Sequence, residues 1–172
     1  MVTATRAVPD VARLRAVAGS VPDPEIPVVT LDDLGIVRGV TVSDDGAVEV
    51  VLTPTYTGCP ATEVIAADVE RALAGAGAGR VVVRTVLAPA WTTDWITESG
   101  RAKLRAFGIA PPDGTRAVGG PVTAVPLALT ARCPRCGSLR TREISRFGST
   151  PCKALWSCRD CGEPFDSFKV LR

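Results

Sequence analysis

The chain has 172 residues, 46% of them hydrophobic and 22% charged, with 20 basic and 18 acidic side chains and a formal net charge of +2. This is the composition of a globular chain of one or two modest domains, and it excludes a disordered or low-complexity one. There is no histidine, which removes Ser-His-Asp triads, Cys-His nucleophiles, His-liganded metals and the commonest general base together.

No stretch near the start joins a basic segment to an apolar run, and no run approaches the roughly 18 apolar residues that cross a bilayer. No membrane association and a cytoplasmic location are therefore expected. In that reducing compartment six cysteines read as metal ligands or reactive thiols rather than disulfides. The charge is uneven: residues 1–130 carry 11 basic and 14 acidic side chains, residues 131–172 carry 9 and 4. Four thiolates on a divalent ion would cancel two of the tail's five net positive charges, so charge alone argues weakly for nucleic acid.

In chain order, Pro9 and Asp10 open a short helix in which Val11, Leu14, Val17 and Ala18 share a face, and Gly19 stops it. Three prolines in Val21-Pro-Asp-Pro-Glu-Ile-Pro27 predict an extended, stiff loop. Alternation over Ile36–Val42 and Val48–Leu52, with Ser43-Asp-Asp-Gly46 between, predicts a β-hairpin. After Thr53-Pro-Thr-Tyr-Thr-Gly-Cys59, Pro60 suits the first position of a helix whose apolar stripe runs through Ala61, Ile65, Val69, Leu73 and Ala76. The β-branched run Val81–Leu87 predicts a strand that completes a βαβ crossover. Trp91 and Trp95, four residues apart, would share a helical face, in the core or against a partner. Thr97 can cap a further helix that ends at Gly108. The Pro- and Gly-rich stretch from Pro111 to Pro126 reads as a linker. The expected fold class is α+β: a small two-layer α/β domain of order α-β-β-α-β-α over residues 1–110, a linker over 111–126, and a four-cysteine zinc ribbon over 127–172.

The ribbon rests on two pairs, Cys133-Pro-Arg-Cys136-Gly137 and Cys158-Arg-Asp-Cys161-Gly162, separated by twenty-one residues. This spacing suits four sulfurs on one zinc ion, and the trailing glycines tolerate the positive φ of a tight knuckle. Strands are expected over Leu127–Ala131, Thr141–Ile144, Ala154–Trp156 and Phe165–Val170. A segment of about 40 residues seldom folds unaided, and structural zinc contributes roughly 10–16 kcal/mol in comparable peptides. Four protein ligands close the coordination shell, so the ion would be structural; the rival ion is iron. Cys152, five residues before Cys158, has two readings: a buried small side chain, or an exchangeable ligand or contact thiol.

In the first domain, Gly58-Cys59-Pro60 places a thiol at a helix N-cap, where N–H groups and the macrodipole favour its anion. A helix terminus contributes only about 0.3–1 kcal/mol, so it does not by itself make a reactive nucleophile. A soft metal would hold the thiolate outright, but one cysteine does not complete an iron-sulfur cluster; two copies of the chain, or a client protein, would supply the other ligands. Asp23 and Glu25 could approach as oxygen ligands or orienting groups, or be solvated turn residues.

With these residues in view, the chain resembles the PaaD family, accessory proteins of the bacterial phenylacetyl-CoA ring-epoxidase system. The resemblance rests on Asp23-Pro-Glu-Ile-Pro27, Asp33-Leu-Gly-Ile-Val37, Thr53-Pro-Thr-Tyr-Thr-Gly-Cys-Pro60, Pro89-Ala-Trp-Thr-Thr-Asp-Trp95, Phe147-Gly-Ser-Thr-Pro-Cys-Lys-Ala-Leu155 and Glu163-Pro-Phe-Asp166. The first domain is also similar to the wider SufT-like family of iron-sulfur assembly factors. The resemblance implies a non-catalytic maturation role in phenylacetate catabolism, serving the epoxidase's iron-sulfur reductase or its di-iron oxygenase component. It further implies that Cys59 is the working thiol for a transient cluster or iron, that Asp23 and Glu25 lie near it, and that a homodimer is one way to complete a site. The chain departs from the pattern in having no Cys or His in Gly114–Pro121, and in Pro151 and Trp156 where a smaller residue and a tyrosine are expected.

The competing class is a zinc ribbon that binds nucleic acid or another protein, suggested by the basic tail and by Phe147, Trp156, Phe165 and Phe168. Those aromatics are more economically placed in a very small core.

Overall fold

The computed structural model describes residues 10–112 and 131–170, and the chain separates into two compact units, Met1–Trp91 and Thr92–Arg172.

In the first unit, α1 (Val11–Gly19) begins where Asp10 Oδ1 accepts the N–H groups of Ala12 and Arg13, satisfying donors that a helix start leaves orphaned. Its buried face is Leu14, Ala18 and Gly19, whereas Val11 is exposed. A Cβ on Gly19 would lie 2.1 Å from Asp32 Oδ2, so a side chain there would displace the Asp32 carboxylate from its present place against the helix. β1 (Val37–Val42) and β2 (Val48–Leu52) form the expected antiparallel hairpin. Then α2 (Thr62–Gly75) leads to β3 (Val81–Thr85), which pairs parallel with β2. The sheet order is β1-β2-β3. Central β2 buries Val48, Val50 and Leu52, and the i, i+4 stripe of α2 buries Ile65, Val69 and Leu73, as its periodicity requires. β3 ends at Thr85, two residues short of the expected Leu87, which is exposed.

The proline-rich loop is not extended. It folds back on itself through a bridge between Pro22 and Thr30, with Asp23 N–H donating to Val29 O at 3.0 Å. Burial of Ile26, Val29, Leu31 and Leu34 drives this closure, and the prolines fix φ within the turns instead of straightening the chain. Trp91 is 5% exposed and its indole N–H donates to Leu34 O at 2.8 Å. Trp95 lies in a short 3-10 turn, Thr93–Trp95, and is half-buried. The two tryptophans therefore share no helical face, because the intervening backbone at Thr92 is extended.

In the second unit, α3 (Glu98–Phe107) is capped by Thr97, whose Oγ1 accepts from Gly100 N–H at 3.0 Å, and ends at Gly108 with φ of 91°. A four-stranded sheet follows, in the order β4-β7-β6-β5, from β4 (Ile109–Ala110), β5 (Thr141–Ser145), β6 (Lys153–Cys158) and β7 (Pro164–Phe168). β4 pairs parallel with β7 opposite Asp166 and Ser167. The helix and strand before residue 111 fall within the unit Thr92–Arg172, which also holds the ribbon. A two-residue strand carries no periodicity that a sequence could reveal. Apart from Pro111, Pro112 and Ala131, the expected linker and the strand Leu127–Ala131 lie outside the described residues. Trp156 and Phe165 are buried with Ala110, Ala154 and two cysteines, and Phe168 is 2% exposed. Phe147 does not join this core: it is 68% exposed. No helix among the described residues is long and apolar enough to cross a membrane.

Candidate metal centre and candidate thiol site

The four sulfurs of Cys133, Cys136, Cys158 and Cys161 lie within 4.8 Å of one another. Two of the separations are 3.8 Å (Cys133 to Cys161) and 3.5 Å (Cys136 to Cys158). A tetrahedron with Zn–S bonds of about 2.3 Å has edges of about 3.8 Å, so the quartet fits one zinc ion. The two knuckles are built alike. Gly137 N–H donates to Cys133 O and Gly162 N–H to Cys158 O, and Cys133 and Cys158 N–H donate to Ser138 O and Glu163 O. Both glycines have positive φ, 75° and 78°, as the sequence predicts. Backbone N–H groups of Cys161 and Asp160 hold the Cys158 thiol down at about 7. Cys136 accepts from Ser138 N–H, which lowers its value, yet the neighbouring Cys158 sulfur, burial and the other sulfurs push it up to about 12. Sulfurs this close cannot all ionise without a cation between them. Cys133 and Cys158 are buried while Cys136 and Cys161 are exposed.

Cys152 is separate from the quartet. It is 8% exposed, its Sγ lies 3.1 Å from Thr150 Oγ1, and its carbonyl accepts Lys169 N–H at 2.9 Å.

Cys59 lies in the loop that carries the chain from β2 to α2 and is half-buried. The helix begins at Thr62 with Ala61 as its cap residue. Cys59 therefore stands two residues before the cap and Pro60 one, a shift of the kind that an irregular first turn produces. The Cys59 carbonyl accepts from Thr62 N–H at 3.3 Å and Thr62 Oγ1 at 2.9 Å, and Cys59 N–H donates to Tyr56 O at 3.1 Å. Burial raises the thiol above its ordinary value; Ala61 N–H opposes this, and the charges of Glu25 and Asp23 reinforce it. The expectation that the helix start favours the anion is overturned: removal from water and two nearby carboxylates outweigh the N–H dipoles.

The same result places Asp23 and Glu25 within electrostatic reach of Cys59. Asp23 is 8% exposed and its Oδ1 accepts the N–H groups of Glu25 at 2.9 Å and Ile26 at 2.8 Å, an Asx turn that orients the Glu25 backbone. Two residues of the loop between β2 and α2 carry no signal in the sequence pattern. Thr53, at its head, is 1% exposed and its Oγ1 has no hydrogen-bond partner among the described residues. Tyr56, 46% exposed, lays its ring against Gly58, where an added Cβ would meet Cε1 at 3.1 Å. Nothing in hydrophobic periodicity marks either one.

Residues 12–86 match the model of iron-sulfur cluster assembly proteins, and residues 119–169 match that of the PaaD zinc beta ribbon domain. A protein of Escherichia coli K12, described as a component of 1,2-phenylacetyl-CoA epoxidase, is 48% identical over 168 residues, 98% of each chain. An Fe-S protein maturation auxiliary factor of Porphyromonas gingivalis is 36% identical over 83 residues, 48% of this chain and 78% of that one. The crystal structure of a domain of unknown function, DUF59, from Bacillus anthracis is similar, with a TM-score of 0.51 and 27% identity over 55% of this chain and 90% of that chain. Carrying an assembly-type first domain and a four-cysteine ribbon, and matching a single relative from end to end, the chain belongs to the PaaD family.

Proposed function

We propose that the chain is an accessory factor for the maturation of a phenylacetyl-CoA epoxidase, passing iron or an iron-sulfur cluster to a client component through Cys59. The relatives' names support an accessory role in iron-sulfur assembly, and the surroundings of Cys59 support the assignment of the thiol. A half-buried sulfur kept protonated by burial and two carboxylates is a poor nucleophile and a good cation site in waiting. The charges that disfavour a lone thiolate attract a metal ion, and on its arrival the thiol gives up its proton to solvent. Asp23 Oδ1 holds the turn, and Glu25, whose charge acts on the thiol more strongly than that of Asp23, is the candidate oxygen donor to share the ion.

A single thiolate leaves most of a cluster's coordination to others. On this reading the remaining ligands come from the client, or from a second copy of the chain. Cys133, Cys136, Cys158 and Cys161 would hold a zinc ion in a closed shell, which supplies folding energy rather than chemistry. The test is Cys59→Ser: folding and zinc content remain, while the iron loaded into the epoxidase's iron-sulfur reductase or di-iron oxygenase component in cells falls. Full loading by the variant rejects the delivery role.

A further inference from the structure

The second unit carries a groove of about 420 Å³ on the face of its sheet that bears Leu155 and Asp166, which oppose each other across β6 and β7. Its wall is the loop between β5 and β6, from Phe147 to Ser149. This wall is held in place. Ser149 Oγ donates to Asp166 Oδ2 at 2.8 Å, Gly148 N–H to Lys153 O at 2.8 Å, and Phe147 N–H to Ser145 Oγ at 3.1 Å. At Gly148 a Cβ would lie 2.4 Å from Asp166 Oδ1 and 3.3 Å from the Lys153 backbone, so a side chain there would displace the Asp166 carboxylate. Lys169 Nζ sits 4.3 Å from the Phe147 ring centroid and is anchored by Pro151 O at 2.7 Å. An aromatic ring 68% exposed yet fixed from behind loses little freedom when another surface covers it.

Charge selects the occupant. Glu143, Asp160, Glu163 and Asp166 each lie within 4.0 Å of a base, namely Arg146, Arg140, Arg135 and Lys153. Outside the lining, two cations flank the groove without a carboxylate partner among the described residues: Lys169 behind Phe147, and Arg142 on β5, two strands from groove-lining Pro164. We infer that this groove docks the client component of the epoxidase, taking an apolar side chain flanked by carboxylates into the space beside Phe147. A nucleic-acid strand is disfavoured, because Asp166 lies in the lining and, of the two aromatics there, Phe165 is buried and Phe147 alone offers a stacking face.

The inference rests on the delivery reading, and the test separates the two. The full zinc-loaded chain is titrated with each purified epoxidase component at low and high salt, using wild type, Phe147→Ser, Arg142→Glu and Cys59→Ser, with zinc content and thermal melts as controls for folding. One component should bind, about tenfold more weakly with Phe147→Ser, more weakly again at high salt, and equally well with Cys59→Ser. No binding by wild type, unchanged binding by a folded Phe147→Ser, or a salt-independent affinity overturns the docking assignment. So does a self-dimer that Phe147→Ser dissolves, or a single-stranded oligonucleotide that competes for the groove. Loss of iron transfer in Cys59→Ser alongside any of these leaves the delivery role standing.

Discussion

Removing metal from the ribbon should unfold the second unit's sheet while the first unit stays folded. Cys133 and Cys158, each 1% exposed, belong to one buried cluster with Ala110, Ala154, Trp156 and Phe165 among the described residues, so the metal quartet is part of the packing and not an attachment to it. The two large side chains of that cluster are Trp156 and Phe165, and burying them stabilises by about 1.5–3 kcal/mol each. A zinc ion on four thiolates contributes roughly 10–16 kcal/mol, several times more. Without it, sulfurs 3.5–3.8 Å apart must reprotonate, and the knuckle before β5 loses its link to the knuckle between β6 and β7. The assay is hydrogen exchange with and without a chelator under reducing conditions, with metal content measured in parallel. Amides of Lys153–Cys158 should lose protection, those of Val48–Leu52 should keep it, and the emission of Trp156 should shift to the red. Zinc-free protein that retains protection along β6 would refute the reasoning.

Three further outcomes are expected. Because Glu25 helps raise the Cys59 thiol, less thiolate is present at neutral pH than in an ordinary cysteine; Glu25→Gln should move the alkylation profile to lower pH and speed the reaction at pH 7–8 while weakening iron binding, and an unmoved profile counts against the electrostatic coupling. Thr53→Val exchanges an orphaned buried hydroxyl for a methyl group of the same shape, and should stabilise the first unit by about 1 kcal/mol, some 4–8 °C in its melt; a lower melting point would mean that the hydroxyl has a partner in solution. Trp91→Phe deletes the donor to Leu34 O and should cost about 1–3 kcal/mol in urea unfolding, whereas a change below about 0.5 kcal/mol would put the indole's contribution elsewhere.

Much of this fold is legible in the sequence wherever local chemistry decides it. The i, i+4 stripe of α2, the Thr97 cap and Gly108 stop of α3, and the glycines after each Cys-x-x-Cys pair stand where the pattern requires them. What escapes is set by distant partners. β4 exists because β7 offers Ile109 and Ala110 a strand more than fifty residues away. The proline loop closes because Ile26 and Val29 find a core. Phe147 is exposed although its composition suits a core, since Lys169 and the loop hydrogen bonds hold it outward. At the proposed thiol site the sequence singles out Cys59, Asp23 and Glu25 as candidates, but not the direction of the thiol's shift. The helix-terminus argument counts the N–H dipoles and omits the desolvation and carboxylate charges that only the folded loop supplies.

The contrast between the two sulfur sites also fixes the direction in which a metal would move. A closed set of four thiolates, two buried and two exposed, leaves no open coordination position, so an ion held there would serve structure rather than transfer. Cys59 offers one thiolate and, at most, the oxygens of Asp23 and Glu25. A soft or borderline ion prefers sulfur to carboxylate, so any client with more thiolates at its own site draws the ion away, and the proton that Cys59 takes back restores the resting thiol. On the delivery reading, transfer would run downhill with no base required, which suits a chain that has no histidine to provide one.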